Sequence, residues 1–412
     1  MPLLSSYRRV LAHPGALQFS ATGLVARLPI SMAGLGIVFL VEAGTGSYGV
    51  AGAVSGAYMV ATALLAIAQG RLIDTLGQRV VLATASVAFG VATGLLITSV
   101  QADWPIAISY VSAAAAGGTL PSVGSAVRAR WTHVLSAPAD LQTAYALEAV
   151  VDECVFILGP IIVTLLATTV HPVAGLGTAA VLGTLGSLAL AAQRRTEPPA
   201  HPHDHAAGAR TPMPWRTVLP LAVVCAALGV LFGAAEVTTV AFADEQGKKA
   251  YAGGLLALWA LGSLVSGVVT GGIASRRGPS FWVRVGAFGM ACTMAPLYFV
   301  GSVPMMGLLL LVGGVAIAPT LIGTMTLTQA SVPPARLTEG MAIMQTGLVA
   351  GVAPGAAVSG WIVDAHGASA AYLVSLAAGV LAAVAAQALP RQGTTNPAAG
   401  AEPTPETTGA TP

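Results

Sequence analysis

Charged residues are scarce in this sequence. Asp, Glu, Lys and Arg make up only 8% of its 412 residues, whereas hydrophobic residues make up 55%. A typical soluble chain has about 25% charged residues. The mean hydropathy of +0.79 agrees with this deficit. The composition excludes an ordinary soluble domain and indicates a protein that crosses a lipid bilayer many times. We expect the bilayer as a partner and no nucleic acid.

Aromatic residues and cysteines are also few. Aromatic residues account for 6% of the chain, which has 49 glycines, so we expect helices that pack through small residues rather than bulky ones. The three cysteines, Cys154, Cys225 and Cys292, all lie within apolar runs. They are predicted to be packing residues rather than disulfide partners or metal ligands.

Motifs of catalysis and cofactor binding are missing. The sequence has no phosphate-binding loop, zinc-ligand spacing or dinucleotide fingerprint, and nothing arranges a nucleophile beside a base. We therefore predict no enzyme activity, no cofactor and no metal. The run from His201 to His205 alternates histidine with Pro and Asp. It is predicted to be a solvated linker because no rigid scaffold fixes its side chains, although metal binding there stays open.

Apolar runs of about 20 residues, the length needed to cross a bilayer, recur along the chain. The first run is too long for the apolar core of a cleaved signal peptide. Twelve spans are predicted, at residues 17–41, 48–69, 80–100, 105–127, 144–169, 173–192, 217–243, 251–273, 282–300, 305–329, 340–363 and 368–389.

The placement of basic residues tests this layout. Of the 18 Lys and Arg residues, only Lys248 and Lys249 fall in predicted external loops, and only Arg27 falls deep inside a span; Arg284 is the third residue of the ninth span, at its cytoplasmic end. The others lie on the side that holds both termini, as the positive-inside rule requires of cytoplasmic segments. We therefore predict a multi-pass protein of the cell membrane with both termini in the cytoplasm.

The sequence pattern indicates two copies of a six-helix unit. Pro121 in the fourth span corresponds to Pro319 in the tenth, and Pro160 in the fifth corresponds to Pro354 in the eleventh. Four parts are predicted: an N-terminal six-helix bundle at 1–194, a cytoplasmic linker at 195–216, a C-terminal six-helix bundle at 217–391 and a disordered cytoplasmic tail at 392–412.

One short loop between the second and third spans combines glycine with charge. It reads Gly70-Arg71-Leu72-Ile73-Asp74-Thr75-Leu76-Gly77-Gln78-Arg79. The loop resembles the signature of the major facilitator superfamily, and the matching positions are Gly70, Leu72, Asp74, Gly77 and Arg79. Thr75 and Gln78 stand where the family usually has basic residues.

The resemblance implies an all-α membrane protein whose twelve transmembrane helices form two pseudo-symmetric six-helix bundles. It also implies a monomeric secondary transporter that moves a small-molecule substrate by alternating access. We predict proton-coupled export of a small amphipathic or hydrophobic compound. The alternative is an uptake porter for a sugar or an organic acid on the same fold. A membrane receptor or enzyme fits less well, because the loops are too short for a signalling domain and no catalytic set is present.

Charges inside the spans are the candidate functional residues. Arg27 lies about 15 Å into the first helix, and an ionisable group at the bilayer centre costs about 2.5–3.5 kcal/mol, so each one needs a partner or a role. The fifth span holds Glu148, Asp152 and Glu153. Because the first and fifth helices are neighbours in the resembled fold, we predict an ion pair between Arg27 and Asp152 or Glu153.

With one arginine and three carboxylates, at least one acid lacks a full countercharge and becomes a candidate proton site. A structural network that does not titrate is the alternative. Glu236, in the seventh span, is predicted to bind a cationic substrate or a proton, and its alternative is an interfacial carboxylate that reaches water. Gly159 and Pro160 match the core of an antiporter motif of the superfamily, but we favour a packing kink at Pro160.

The loop is also predicted to form a cytoplasmic latch. Asp74 is expected to face Arg128 and Arg130 at the end of the fourth span, and to approach the start of the eleventh helix at Thr338–Gly340, whose positive dipole end attracts a carboxylate. The missing basic residues, at Gln78 among others, predict a weak latch. Its expected role is gating, not substrate recognition.

Overall fold

A computed structural model describes residues 2–200, 212–273, 278–333 and 337–390. Within these ranges the chain forms α-helices joined by short connections and 3-10 turns, with no strand. The predicted all-α fold class is confirmed. The His201–His205 run and the predicted tail lie outside the described residues.

The helices of the first half follow one another with short connections. Their bounds are α1 Pro2–Leu11, α2 Ala16–Arg27, α3 Pro29–Thr45, α4 Tyr48–Leu76, α5 Gln78–Gln101, α6 Ile106–Thr119, α7 Val123–Val134, α8 Pro138–Thr169 and α9 Pro172–Ala191, followed by a 3-10 turn at Arg194–Thr196.

The described helices of the second half repeat this pattern. They are α10 Trp215–Glu245, α11 Ala252–Ile273, α12 Pro279–Met294, α13 Val303–Gly314, α14 Ile317–Ser331, α15 Leu337–His366 and α16 Ala368–Gln387, with 3-10 turns at Lys249–Tyr251 and Ala295–Phe299.

Eleven stretches of the described chain are helical, long and apolar enough to cross a membrane, and they coincide with eleven of the twelve predicted spans. The twelfth, predicted at 282–300, is formed by α12 and the 3-10 turn Ala295–Phe299. Its α-helix has only 16 residues because Pro296 follows at once and has no N–H to continue the α-helical pattern.

The fourth span is broken at Pro121, where α6 ends and α7 begins. Broken backbone inside a membrane needs protein partners for its polar groups. The buried side chain of Gln69 on α4 supplies them. Its Nε2 donates to the carbonyl oxygens of Gly118 and Leu120, and its Oε1 accepts from the backbone N–H of Ser122. The tenth span is also interrupted, between α13 and α14, about one turn before Pro319.

Most of the contact between the halves is made by two pairs of helices, α4 with α15 and α8 with α11, while α10 also touches α3 and α4. Gly56 of α4 lies so close to α15 that a Cβ atom there would be 3.0 Å from Cβ of Ala353. On the other side, a Cβ atom at Gly253 of α11 would overlap the carbonyl oxygen of Pro160 on α8. The two contacts occupy equivalent positions in the repeat, so small residues allow both pairs to pack closely.

The halves touch at one end of the molecule and separate toward the other. We call the end with Gly77, between α4 and α5, the motif face, and the end with Gly46, between α3 and α4, the distal face. On α15, Ala356 is buried against α4, whereas Gln345, three turns nearer the motif face on a similar side of the helix, is exposed. On α8, Phe156 is 46% exposed one turn before the buried Pro160. The structure is closed at the distal face and open between the halves at the motif face.

Candidate functional site: charges between the helices

Arg27 is the last residue of α2 and is only 1% exposed. The helix ends there because Leu28 and Pro29 start α3 with a new first turn, which has no N–H to offer at Pro29. A cation in the last turn of a helix also interacts favourably with the helix dipole. The sequence therefore sets both the depth and the direction of this arginine.

Arg27 is held by two carboxylates of α8. Its Nη2 pairs with Oε2 of Glu148, which is fully buried, and its Nη1 pairs with Oδ1 of Asp152 at 2.7 Å. The other oxygen of Asp152 accepts from Nη2 of Arg128 on α7 at 2.5 Å. Two arginines therefore balance two carboxylates, and we call these four residues the α2–α8 ion network.

The remaining oxygen of Glu148 is also bonded. It accepts from Nε1 of Trp131 at 2.8 Å and from Oγ of Ser20 at 3.4 Å. The Trp131 ring packs edge-on against Phe19, with centroids 4.5 Å apart. The sequence analysis did not single out Trp131, although a tryptophan three residues after Arg128 on the same helix face was an available signal.

The ion pair predicted between Arg27 and Asp152 is present, whereas the pair with Glu153 does not form. Successive helical residues point about 100° apart, so Glu148 and Asp152 share a face of α8 and Glu153 does not. The expectation of a single arginine among three acids was wrong, because Arg128 supplies a second countercharge. Glu153 is the acid of this group that remains uncompensated.

Glu153 lies on the face of α8 that leads to the second half. It precedes Pro160 and Thr164 by seven and eleven residues, so all three share one helical face, and Pro160 packs against α11. Glu153 is half-buried. No ion pair or hydrogen bond reaches its carboxylate from any described residue. It borders the space that opens toward the motif face.

Glu236 of α10 lies against helices of the first half. A Cβ atom at Gly34 of α3 would be 3.0 Å from Oε1 of Glu236 and would overlap Cε of Met59 on α4. Among the described residues, no cation pairs with Glu236. The half-buried carboxylate therefore stands at the boundary between the halves, beside a methionine and the bare backbone of a glycine.

Gly159 and Pro160 lie where α8 packs most tightly. A Cβ atom at Gly159 would overlap Oγ of Ser31 on α3, and Ser31 Oγ donates to the carbonyl oxygen of Val155 at 2.7 Å. Pro160 leaves a carbonyl of the preceding turn without its helical donor. The surroundings agree with a packing role for this pair.

The loop at the motif face is anchored by a glycine turn and a buried amide. Gly77 joins α4 to α5 with φ of 87°, a conformation that favours glycine. Gln78 is buried, donates to the carbonyl of Ala126 and accepts from Nε of Arg130. Arg130 is fully buried and also bonds Leu190 at the end of α9. The guanidinium of Arg130 is thus held by Gln78 and by backbone and side-chain oxygens near the end of α9, and Gln78 has a structural role as a buried amide.

Glu197 caps the next helix: its Oε1 accepts from the backbone N–H of Arg79 at 2.7 Å. Leu72 is exposed, and Gly70 has open space around it. The side chain of Asp74 and the predicted contact with Thr338–Gly340 lie outside the described residues. Arg128, grouped with this loop by the sequence, belongs to the α2–α8 ion network.

A groove of about 570 Å³ on the described helices does not coincide with these charges. It is lined by apolar residues of α4, α6 and α15, including Ala57, Leu64 and Pro354. Ala57 lies on the side of α4 opposite to Ser55, which bonds the carbonyl of Gly34 on α3. The groove therefore faces the outside of the bundle.

Residues 19–312 match the family model described as Major Facilitator Superfamily. No curated protein matches the chain in sequence.

Solved structures share the fold at low sequence identity. The nucleoside transporter NupG superposes with a TM-score of 0.68 at 15% identity, over 90% of this chain and 97% of that one. The peptide transporter POT in complex with sulfate gives 0.72 at 14% identity, over 91% and 93%. A bacterial homologue of the iron transporter ferroportin, in the inward-facing state, gives 0.64 at 19% identity, over 90% and 98%. All three are transporters, not enzymes.

Proposed function

Because this chain belongs to the Major Facilitator Superfamily, we propose that it is a proton-coupled secondary transporter that exports a small amphipathic or hydrophobic compound by alternating access. One observation carries the proposal. Glu153 and Glu236 are intramembrane acids that border the space between the halves and have no cation partner among the described residues. Acids at such positions are expensive unless they bind a proton or a cation.

Glu153 is the proton site in this proposal. The neighbouring Asp152 is held by two arginines, so it has little to gain from a proton. Glu153 lacks such a partner and lies at the edge of the opening to the motif face. A proton neutralises its charge when the halves close over it, because a bare carboxylate is unfavourable in low dielectric.

Glu236 is the substrate site in this proposal. Its neighbours Gly34 and Met59 offer apolar surface rather than hydrogen-bond donors, and methionine adapts to ligands of varied shape. A lipophilic cation satisfies both the carboxylate and this surface. An organic acid would need a free cation instead, but Arg27 has both of its terminal nitrogens on carboxylates.

Export is the direction of transport in this proposal. The positive-inside rule assigns the motif face to the cytoplasm. While the motif face is open, Glu236 would then bind a compound that enters from the cytoplasm or from the inner leaflet. Protons that enter the cell down their gradient by way of Glu153 would drive the conformational change that exposes the bound compound to the outside. Both termini are cytoplasmic in this arrangement.

Binding of tetraphenylphosphonium, a lipophilic cation, tests the substrate site. We expect saturable binding by the purified chain, measured as ligand-dependent thermal stabilisation. Glu236→Gln should weaken it at least about tenfold, since two opposite charges about 8 Å apart attract by about 2 kcal/mol at an effective dielectric constant of about 20. Glu245→Gln is the matched control, because that carboxylate bonds the N-terminus of α16 at the distal face and should bind the probe normally.

Proton coupling is measured separately, in proteoliposomes with an imposed pH gradient. Glu153→Gln should abolish substrate-driven proton flux while tetraphenylphosphonium binding persists. Unchanged flux would rule out Glu153 as the proton site. Saturable binding of a sugar or an organic acid, with none of the lipophilic cation, would overturn the export proposal in favour of an uptake porter.

A further inference from the structure

The closed distal face contains a helix cap that crosses from one half to the other. Asp364 lies in the last turn of α15, and its Oδ1 accepts from the backbone N–H of Tyr48 at 2.9 Å. Its Oδ2 accepts from the backbone N–H of Gly49 at 2.9 Å and from Oγ of Ser47 at 2.6 Å. These residues start α4, so a carboxylate of the second half caps a helix of the first.

This cap is matched to the chemistry of a helix start. The first N–H groups of a helix have no partner within it, and a nearby negative charge also stabilises the positive end of the dipole. Ser47 satisfies only the N–H of Val50. The N–H groups of Tyr48 and Gly49 depend on Asp364 for a protein acceptor.

Glycines allow the two helices to meet at this point. A Cβ atom at Gly360 of α15 would overlap the carbonyl oxygen of Tyr48, and one at Gly49 would be 3.0 Å from Oδ2 of Asp364. A larger side chain at Gly360 would push the backbones of the two helices apart, and one at Gly49 would crowd the carboxylate of Asp364. The cap therefore requires the close approach of α4 and α15 that closes the distal face.

A second set of bonds joins the halves nearby. Nζ of Lys249, between α10 and α11, pairs with Oε2 of Glu42 on α3. Asp244 of α10 accepts from the hydroxyl of Tyr48 at 2.8 Å and from Lys249 Nζ at 3.1 Å. Lys249 also lies 5.6 Å from the centroid of the Tyr48 ring, within cation–π range. The bonds of Lys249 to Glu42 and of Tyr48 to Asp244 cross between the halves, as the cap does, whereas the bond of Lys249 to Asp244 lies within the second half.

We propose that Asp364 is a conformation-selective cap, which stabilises the state closed at the distal face and is released when the halves part there. This inference rests on the alternating access of the proposed function, but not on its substrate or on protons. Opening the distal face transfers the N–H groups of Tyr48 and Gly49 from a carboxylate to water. The cap therefore stabilises only the state that is closed at the distal face.

The chain offers a matched control for this role. Glu245 of α10 accepts from the backbone N–H of Ala368 at 2.7 Å and so caps the start of α16. It lies at the same face and makes the same kind of bond, but both helices belong to the second half. Its bond has no reason to depend on which face is open.

Spin labels on the two halves measure the opening. The full chain carries Val170→Cys and Gly301→Cys, both at the distal face, with Cys154, Cys225 and Cys292 replaced by Ala. Val170 is exposed, and a side chain at Gly301 meets nothing within 4 Å. Pulsed electron resonance then gives the populations of the shorter and longer distances.

We expect Asp364→Ala to raise the ratio of open to closed populations about fivefold, the factor that corresponds to the usual loss of a helix cap. Asp364→Asn should give a smaller shift, because its amide oxygen still accepts one bond. Glu245→Ala should leave the ratio unchanged. An unchanged ratio in Asp364→Ala, or an equal shift in Glu245→Ala, would overturn the proposal. Since no substrate is added, failure of the transport experiments would not affect this result.

Discussion

At the scale of single residues, the α2–α8 ion network shows how a membrane helix tolerates buried charge. Arg27 and Glu148 are both almost completely buried, and each has several polar partners. A buried ion pair adds little net stability, because desolvation offsets the attraction, but removing one partner leaves a charge that is costly to bury. The network therefore fixes the packing of α2 on α8 rather than providing a large stabilising energy.

Arg27→Ala should lower the stability of the protein by about 3–5 kcal/mol, the usual cost of an unpaired buried charge. Glu148 would keep only Trp131 and Ser20 as partners. The double variant Arg27→Ala, Glu148→Ala should be more stable than Arg27→Ala alone. Thermal unfolding of the purified proteins in one detergent measures both. Additive losses from the two substitutions would argue against a coupled pair.

At the scale of helices, glycine sets how closely neighbours approach. The pair α10 and α15 meets along one stripe, where a Cβ atom at Gly229 would overlap the carbonyl oxygen of Leu348 and one at Gly351 would overlap that of Ala226. Helices in lipid gain little from burying apolar surface, so they depend on such close contacts for their association.

Gly351→Ala should therefore destabilise the protein by about 1–3 kcal/mol, because the added methyl group must push backbone apart. Gly94→Ala is the matched control, since a Cβ atom there meets nothing within 4 Å. It should be neutral or slightly stabilising, because alanine loses less backbone entropy in a helix. The melting temperatures of the two variants are compared with that of the unsubstituted protein. Equal decreases in both variants would mean that packing at the α10–α15 contact is loose.

At the scale of the whole molecule, α4 and α15 have an acidic residue near opposite ends of their contact. Asp364 caps the start of α4 at the distal face. Asp74, in the last turn of α4, is proposed from the sequence to approach the start of α15 when the motif face closes. A reciprocal pair of this kind would stabilise each closed face in turn, and both roles remain proposals.

Asp74→Asn should reduce transport about tenfold and change substrate affinity by less than about twofold, because a gate alters the populations of states rather than the site itself. Asp140→Asn is the control: this motif-face acid pairs with Arg9 at 3.0 Å within the first half. Transport by proteoliposomes and equilibrium binding are measured on the same preparations. A loss confined to affinity would exclude a gating role for Asp74.

The layout of spans was predictable because it depends on local properties. Hydropathy over about 20 residues identifies a membrane helix wherever it packs, whereas the interruption of the fourth span at Pro121 was not predicted. Membership of the superfamily was recognisable from the loop at Gly70–Arg79. The pair of Arg27 with Asp152 also followed, because depth along each helix is a matter of counting residues once the two helices are known to be neighbours.

The tertiary structure alone decided which charges are paired. The sequence grouped Arg128 with the loop at Gly70–Arg79, but in the structure it is the second countercharge of Asp152. Glu153 therefore has no arginine partner. Arg130 and Gln78 became buried partners, and Asp364 became a cap for a helix that starts more than 300 positions earlier. Spacing along one helix shows which residues share a face, but it carries no information about the rotation of that face toward distant helices. The rotation of each helix depends on its close packing against other helices, much of it at glycines. It therefore determines which of the predicted acids lies beside an arginine and which has no cation partner.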